Sequence, residues 1–280
     1  MVRERIADDI YIFSSRRYAQ VTAGAILTKE GVILIDTLFY PDETREIKRF
    51  IEGRLGLKVR YVINTHYHAD HTLGTYLFPD ALVIAHSRCR QLLDTVGRDG
   101  LEQMRKQTDE FEDVRIVLPD VMFDTGELNI YLGGKTVRLE HTPGHSPDLI
   151  STLVVNDRIL FASDNVMPVP TLFDGSYDDL VDSLNDMLIL SLDTVVRGHG
   201  GVILKGELSE IIKSDLDYLT NINNAVEELI IQGLPVASLE RVSIESCGKS
   251  RIPLNGFVSD LHQANLRKLF DDRVPEAEPA

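Results

Sequence analysis

Three of the eight histidines in this 280-residue sequence fall within six positions, and an aspartate lies among them. They are His66, His68 and His71, with Asp70 directly before the last. Imidazole and carboxylate groups are the ligands that Zn²⁺ and neighbouring first-row ions take in proteins. A helix N-cap would explain Asp70 alone and would leave three histidines without a role. The segment therefore predicts a metal site.

The neighbouring elements indicate where this segment lies. A β-branched run over residues 59–63 ends just before it, and α/β proteins place their ligands at the carboxyl ends of strands. His66 and His68 are two residues apart in extended chain, so their side chains project the same way. Asp70 and His71 begin the following helix. Four ligand groups therefore converge within a short stretch of backbone.

Three further candidate ligands follow later in the sequence. His145 lies in His-Thr-Pro-Gly-His-Ser over residues 141–146, Asp164 follows an apolar run, and His199 lies between two glycines. With the pattern His-x-His-x-Asp-His over residues 66–71, the chain resembles the metallo-β-lactamase superfamily over about residues 8–204. The resemblance implies two metal sites joined by a carboxylate. Their ligands are His66, His68 and His145 for the first metal, Asp70, His71 and His199 for the second, and Asp164 as the bridge. It also implies a supporting, non-ligand role for Asp36.

Strands and helices alternate along the chain, which predicts an α/β fold. Short β-branched runs predict strands in both halves, with turns at Gly133-Gly134 and Asn156-Asp157, and periodic segments predict helices over 41–56, 94–112, 178–190 and 204–232. The resemblance implies a four-layer αβ/βα sandwich. We expect a catalytic domain over residues 1–204 and a helical C-terminal extension or cap over residues 205–280.

The implied activity is that of a binuclear metal-dependent hydrolase, in which a hydroxide bridging the metals attacks an ester, thioester or lactone carbonyl. Asp70 is the candidate catalytic residue, because its second oxygen can orient the hydroxide and protonate the leaving group. Two divalent ions are implied, zinc first, with iron or manganese as alternatives. Asp164 is similar to the bridging residue of glyoxalase II, lactonase and phosphodiesterase-type members, whereas zinc β-lactamases carry Cys or Ser. β-Lactamase, phosphodiesterase and iron-dependent oxidoreductase activity similar to persulfide dioxygenases remain alternatives.

Charge restricts the partners. Lys and Arg total 29 against 44 Asp and Glu, a formal charge of −15, which disfavours nucleic acid and anionic membranes. Because no apolar run or leader is recognised, we expect a cytoplasmic protein. The apolar segment 165–173 follows the expected bridge, so we expect a small-molecule substrate with an apolar portion; a homodimer is left open.

Tyr67 and Tyr177 could donate a hydroxyl to the substrate, Met167, Leu172 and Phe173 could line its pocket, and His141 could support a ligand. His86 reads as structural and His262 as a surface residue.

Overall fold

Two β-sheets lie face to face in the computed structural model, which describes residues 1–274. The last six residues of the expected C-terminal extension lie outside that range. The seven strands of the first sheet lie in the order of the sequence. The first four pair antiparallel, and from the fourth to the seventh the pairing is parallel. Its strands are β1 (Val2–Ala7), β2 (Ile10–Ser14), β3 (Thr22–Thr28), β4 (Gly31–Ile35), β5 (Val59–Ile63), β6 (Leu82–His86) and β7 (Val121–Phe123).

The second sheet is antiparallel except for one parallel pair. Its strands are β8 (Glu127–Leu132), β9 (Lys135–His141), β10 (Ile150–Val154), β11 (Ile159–Ser163), β12 (Thr194–Arg197) and β13 (Val202–Leu204). They lie in the order β13-β12-β11-β10-β9-β8, and β11 and β12 form the parallel pair. The predicted hairpin turn at Gly133-Gly134 joins β8 to β9, and both glycines have positive φ, which such a turn requires.

Helices cover the outer faces of both sheets. They are α1 (Pro41–Lys48), α2 (Ala69–Thr72), α3 (Ser87–Leu92), α4 (Arg98–Gln107), α5 (Tyr177–Ile189), α6 (Leu208–Ile231) and α7 (Val258–Asp271). The predicted helix over 41–56 is α1 followed by a π-helical turn, Arg49–Arg54. The predicted helix over 94–112 is divided between a second π-helical turn (Leu93–Gly97), α4 and a 3-10 turn (Asp109–Phe111). None of the helices within residues 1–274 combines the length and apolar character needed to cross a bilayer.

The apolar side chains divide into layers. Ile33 and Ile63 of the first sheet and Leu139 and Ile150 of the second belong to one buried cluster between the sheets. The outer face of the first sheet packs against α1, and that of the second packs against α5, α6 and α7. Because each sheet alternates inward and outward side chains, both faces must be covered. The four-layer αβ/βα sandwich expected from the sequence is confirmed.

The C-terminal helices share a core with the second sheet. Helix α6 packs on α5 and α7, and its residues join those of β11 and β12 in one apolar cluster. His262 of α7 is 1% exposed, so its assignment to the surface was wrong. Its two ring nitrogens lie 3.0 Å from the Tyr218 hydroxyl and the Val242 carbonyl. The domain boundary near residue 204 stays a prediction.

Asn265 joins α7 to the segment that follows Asp164. Its Nδ2 donates to the carbonyl of Pro170, and its Oδ1 accepts from the backbone N–H of Leu172 at 2.8 Å. Asn265 is completely buried, so these hydrogen bonds satisfy backbone groups that water cannot reach. Helix α7 therefore fixes the course of the chain beside the expected metal site.

Candidate metal centre

The structure brings the seven candidate ligands to one edge of the two sheets. Residues 66–71 follow β5, Asp164 follows β11, and His199 follows β12, while His145 lies in the loop between β9 and β10. The ligand atoms form two groups, in each of which all atoms lie within 4.8 Å of one another. The first group is His66, His68, His145 and Asp164, and the second is Asp70, His71 and His199.

The first group converges on one ring nitrogen of His68. The Nδ1 of His68 lies 2.9 Å from the Nε2 of His66 and 3.0 Å from the Nε2 of His145. Three nitrogens this close, in rings that meet nearly edge to face, can bind one cation together.

Asp164 connects this group to the second one. Its Oδ2 lies 3.4 Å from the Nε2 of His145 and 3.4 Å from the Nε2 of His199. Its Oδ1 lies 3.2 Å from the Nε2 of His71, and Oδ2 of Asp70 lies 3.3 Å from the Nε2 of His199. The carboxylate of Asp164 therefore lies between the two groups, where a bridging ligand would have to be.

In most of these histidines, the ring nitrogen that points away from the other candidate ligands contacts a partner in the protein. The Nδ1 of His71 lies 2.9 Å from Oδ2 of Asp36, which is the supporting role implied for Asp36. The Nδ1 atoms of His145 and His199 each donate to a carbonyl at 2.8 Å, those of Thr171 and Ala19. Such partners fix the ring orientation and leave Nε2 free for a metal.

Hydroxyl groups link the two sheets behind the ligands. Thr65 Oγ1 lies 2.7 Å from Ser163 Oγ and donates to Asp36 at 2.7 Å. Asp36 and Ser163 both have a left-handed backbone, with φ of 56° and 50°, a strain that non-glycine residues adopt at the cost of about 1–2 kcal/mol. A Cβ at position 198 would collide with Oδ1 of Asp164, so Gly198 is required for the close approach of this loop.

Burial keeps His66 and His145 of the first group neutral. Loss of solvent is the main cause that lowers the pKa of His66 well below its ordinary value, and it lowers that of His145 to about 4. In the second group, burial also acts to lower the pKa, but the carboxylates of Asp164 and Asp70 outweigh it. They raise the pKa of His199 to about 10 and that of His71 well above its ordinary value. Without a cation, the second group holds protons where a metal would carry the positive charge.

The donors fit divalent cations. Oδ1 of Asp164 and Nε2 of His71 are buried and form no hydrogen bond with any partner in residues 1–274, although they lie 3.2 Å apart. Buried polar atoms without partners are costly, and a cation coordinated by both would satisfy them. Five imidazoles and two carboxylates are a donor set that zinc, iron or manganese can use.

An apolar cleft of about 200 Å³ opens beside these ligands. Aromatic and aliphatic side chains from four parts of the chain line it, namely Tyr18, Phe39, Met167, Phe173, Phe257 and Leu261. Phe257 directly precedes α7 and Leu261 lies near the start of this helix, so the C-terminal region contributes to the cleft. Leu172 is 1% exposed, belongs to the core and is not among the residues that line the cleft, so the expectation that it lines the pocket was wrong.

Several other expectations about single residues are corrected. The hydroxyl of Tyr67 donates to Asp174 at 2.7 Å, and Tyr177 packs at the start of α5 against the core. His141 stacks on His86 with ring centroids 4.0 Å apart, and its Nε2 donates to the Pro147 carbonyl and not to a ligand.

Asp174 is a residue that the sequence analysis missed. Its Oδ1 lies 3.3 Å from the Nε2 of His68, while its Oδ2 accepts the Tyr67 hydroxyl. Asp174 is 29 residues beyond His145 and belongs to no recognised motif, so no sequence signal identified it. Its position matches the carboxylate partners that orient metal-binding histidines.

We expect Asp174→Asn to weaken metal binding at the first group by about tenfold to a hundredfold, because the oriented partner of His68 is lost. The measurement is competition for zinc against a chromophoric chelator. Asp178→Asn, at an exposed position four residues away, is the matched control and should keep the wild-type affinity. Equal affinities for the two variants would contradict the role of Asp174.

The two groups should release different numbers of protons on binding metal. At pH 7 His66 and His145 are already neutral, so a cation at the first group displaces almost no protons from them. A cation at the second group must displace protons from His71 and His199, up to about two per ion. The second binding step should therefore strengthen as the pH rises from 6 to 8. Calorimetric titrations in buffers of different ionisation enthalpy measure the protons, and equal release in both steps would contradict the assignment.

Comparison with known proteins places this site in a family. The family model of the metallo-beta-lactamase superfamily matches residues 16–199. The "Lactamase-like protein nscB" of Trichophyton verrucosum is 30% identical over 159 residues, which cover 56% of this chain and 47% of that protein. An "Atrochrysone carboxyl ACP thioesterase" of Pseudocercospora fijiensis is 23% identical over 252 residues, covering 86% and 66%. The chain spans about half the length of the first curated relatives it matches.

Solved structures show the same fold. The sec-alkylsulfatase Pisa1 of a Pseudomonas species aligns with 98% of this chain and 50% of its own, with a TM-score of 0.74 and 16% identity. The alignment extends over the C-terminal helices as well as the two sheets, because it covers nearly the whole chain. By its family match over residues 16–199 and its fold, the chain belongs to the metallo-β-lactamase superfamily.

Proposed function

We propose that this protein is a hydrolase with two metal ions that cleaves a thioester, ester or lactone with an apolar group. The observation that carries the proposal is the position of Asp164, whose Oδ2 lies 3.4 Å from the Nε2 of both His145 and His199. One carboxylate can therefore serve both donor groups. A pair of cations bound there supplies an acidified water and a polarised carbonyl, with zinc as the ion we expect.

The protein's own residues would orient the reaction. Asp70 lines the cleft and its side chain is 15% exposed, so an attacking water can reach it. Burial acts to raise the pKa of Asp70, but the charges of His71 and His199 outweigh it and hold it at about 2. Cations bound in place of their protons would supply the same positive charge, so this carboxylate is ionised and can receive the proton of that water. Asp70 can then pass that proton to the leaving sulfur or oxygen.

The cleft and the relatives favour an acyl substrate. Its apolar walls suit a hydrocarbon portion, whereas the charge of −15 disfavours a nucleic acid substrate. The P. fijiensis relative that aligns with 86% of this chain is named a thioesterase of an acyl carrier protein. We therefore place thioesters of small apolar acids first among the three carbonyl classes.

The test is a comparison of substrate classes with protein of known metal content. We expect release of free thiol from short acyl thioesters, faster than turnover of a β-lactam or a phosphodiester. Asp164→Ala should lose one of two metal equivalents and at least about a hundredfold in kcat, because the bridge is removed. His86→Ala, outside the cluster, should keep both metals. Oxygen consumption with a persulfide and a single bound iron would instead favour the oxidoreductase alternative.

Phe173 should determine which acyl groups are accepted. It is 59% exposed with a φ of 30°, and its ring centroid lies 4.6 Å from that of His68. We expect Phe173→Ala to change the ranking of acyl chain lengths by kcat/KM at constant metal content. Leu172→Ala is the matched control in the core, where it should lower the free energy of unfolding by about 2–5 kcal/mol and leave the ranking unchanged. An unchanged ranking for Phe173→Ala would leave that ring only a packing role.

A further inference from the structure

Tyr18 lies in the cleft on a loop that the sequence analysis did not connect to the site. It lies between β2 and β3 and lines the cleft together with Asp70, Asp164 and His199. Its hydroxyl forms no hydrogen bond with any residue of the described range 1–274, which leaves the hydroxyl free to bind a ligand. Burial first, and then the negative charges of Asp70 and Asp164, raise the pKa of Tyr18, so the hydroxyl keeps its proton at neutral pH.

The start of this loop is fixed by hydrogen bonds. Oγ of Ser15 accepts the backbone N–H groups of Arg17 and Tyr18 at 3.0 and 2.9 Å. The same hydroxyl donates to Glu43 of α1 at 2.6 Å, and Glu43 also accepts the backbone N–H of Arg16 at 3.0 Å. Ser15 and Glu43 are buried, so these bonds are shielded from water and hold the loop in one conformation.

The end of the loop is tied to a candidate ligand. The carbonyl of Ala19 accepts from His199 Nδ1 at 2.8 Å, and the carbonyl of Gln20 accepts from the N–H of Gly200 at 3.1 Å. Ala19 and Gln20 both have positive φ, 38° and 51°, in two successive non-glycine residues. Such strain persists where the surroundings enforce it, and it is concentrated at functional sites.

The ring of Tyr18 is also held in place. It stacks on Phe39 with centroids 4.5 Å apart and planes 21° apart. The other two tyrosines considered for this role are engaged elsewhere, because Tyr67 donates to Asp174 and Tyr177 packs against the core. Tyr18 thus combines a fixed ring, an uncommitted hydroxyl and a position beside the candidate ligands.

We propose that the Tyr18 hydroxyl is a catalytic hydrogen-bond donor to the carbonyl oxygen of the bound acyl group. The bond strengthens as negative charge develops on that oxygen while the carbonyl carbon is attacked. The hydroxyl keeps its proton throughout, so it stabilises charge and transfers nothing. This inference rests on the proposed hydrolysis of an acyl substrate, and it names a residue outside the family's metal-binding motifs.

The test compares Tyr18→Phe with Tyr40→Phe in metal-loaded protein. Tyr18→Phe keeps the ring and its stacking on Phe39, and should keep wild-type metal content and melting temperature. Its kcat for an acyl thioester should fall at least about tenfold with KM within about twofold, because the lost bond acts mainly in the transition state. Tyr40 lies in the same aromatic cluster but not among the residues that line the cleft, so Tyr40→Phe should behave as wild type.

A second measurement does not depend on turnover. An alkyl phosphonate monoester places a negatively charged tetrahedral group where the attacked carbonyl would be, and calorimetry gives its Kd. Tyr18→Phe should weaken this binding at least about tenfold. If wild-type protein cleaves thioesters but both kcat and the phosphonate Kd of Tyr18→Phe stay within twofold, the role of Tyr18 is wrong and the proposed function stands. If the wild-type protein cleaves no ester, thioester or lactone, the proposed function is wrong. If the wild-type protein also fails to bind the phosphonate, the role of Tyr18 is wrong as well.

Discussion

The burial of many ionisable groups at one point is the constraint on which the rest of this structure depends. Five imidazoles and the carboxylates of Asp36, Asp70 and Asp164 lie together where the two sheets meet, and most are almost completely buried. Removing such groups from water costs several kcal/mol each unless opposite charge or hydrogen bonds replace the lost solvent. The protein replaces it partly with histidine protons in the second group and with the hydrogen bonds behind each ring. Oδ1 of Asp164 and Nε2 of His71, which have no hydrogen-bond partner within residues 1–274, are atoms that a cation would bind.

This constraint also explains the strained backbone at the ends of two strands. Asp36 follows β4 and Ser163 ends β11, and both adopt a left-handed conformation that turns the chain toward the site. Thr65 lies between them and contacts both, through its bonds to the carboxylate of Asp36 and the hydroxyl of Ser163. The two sheets are therefore joined by polar contacts at the site and by apolar packing elsewhere. Strain of this kind is tolerated because surrounding contacts determine the conformation at each position.

The sequence predicts what is local and leaves out what depends on distant contacts. Strand and helix patterns predicted the α/β alternation, because hydrophobic periodicity reports which face of an element is buried, and the four layers were implied by the family resemblance. They did not indicate β1, whose alternating pattern is hidden by charged residues on an exposed edge strand. They also misplaced His262, since its burial depends on Tyr218 and Val242, which are 44 and 20 residues away. The candidate ligands could be recognised from the sequence because they lie in short motifs, whereas Asp174 and Tyr18 lie in loops that belong to no motif. Ligand spacing is fixed by the chain next to each strand, whereas the partners of the ligands come from any loop that reaches the site.

The C-terminal helices bear on both specificity and the metal-binding groups. Phe257, just before α7, and Leu261 of α7 line the cleft, while Asn265, four residues after Leu261, holds the backbone at Pro170 and Leu172. Thr171 lies between these two residues, and its carbonyl is the partner of Nδ1 of His145. The same helix therefore contributes to the wall of the apolar cleft and, through the buried amide of Asn265, positions the backbone segment whose carbonyl contacts His145. A substitution at Phe257 or Leu261 that moves this helix would also move Asn265, and with it the backbone that contacts His145. Such substitutions alter the cleft without affecting metal binding only if Asn265 keeps its position.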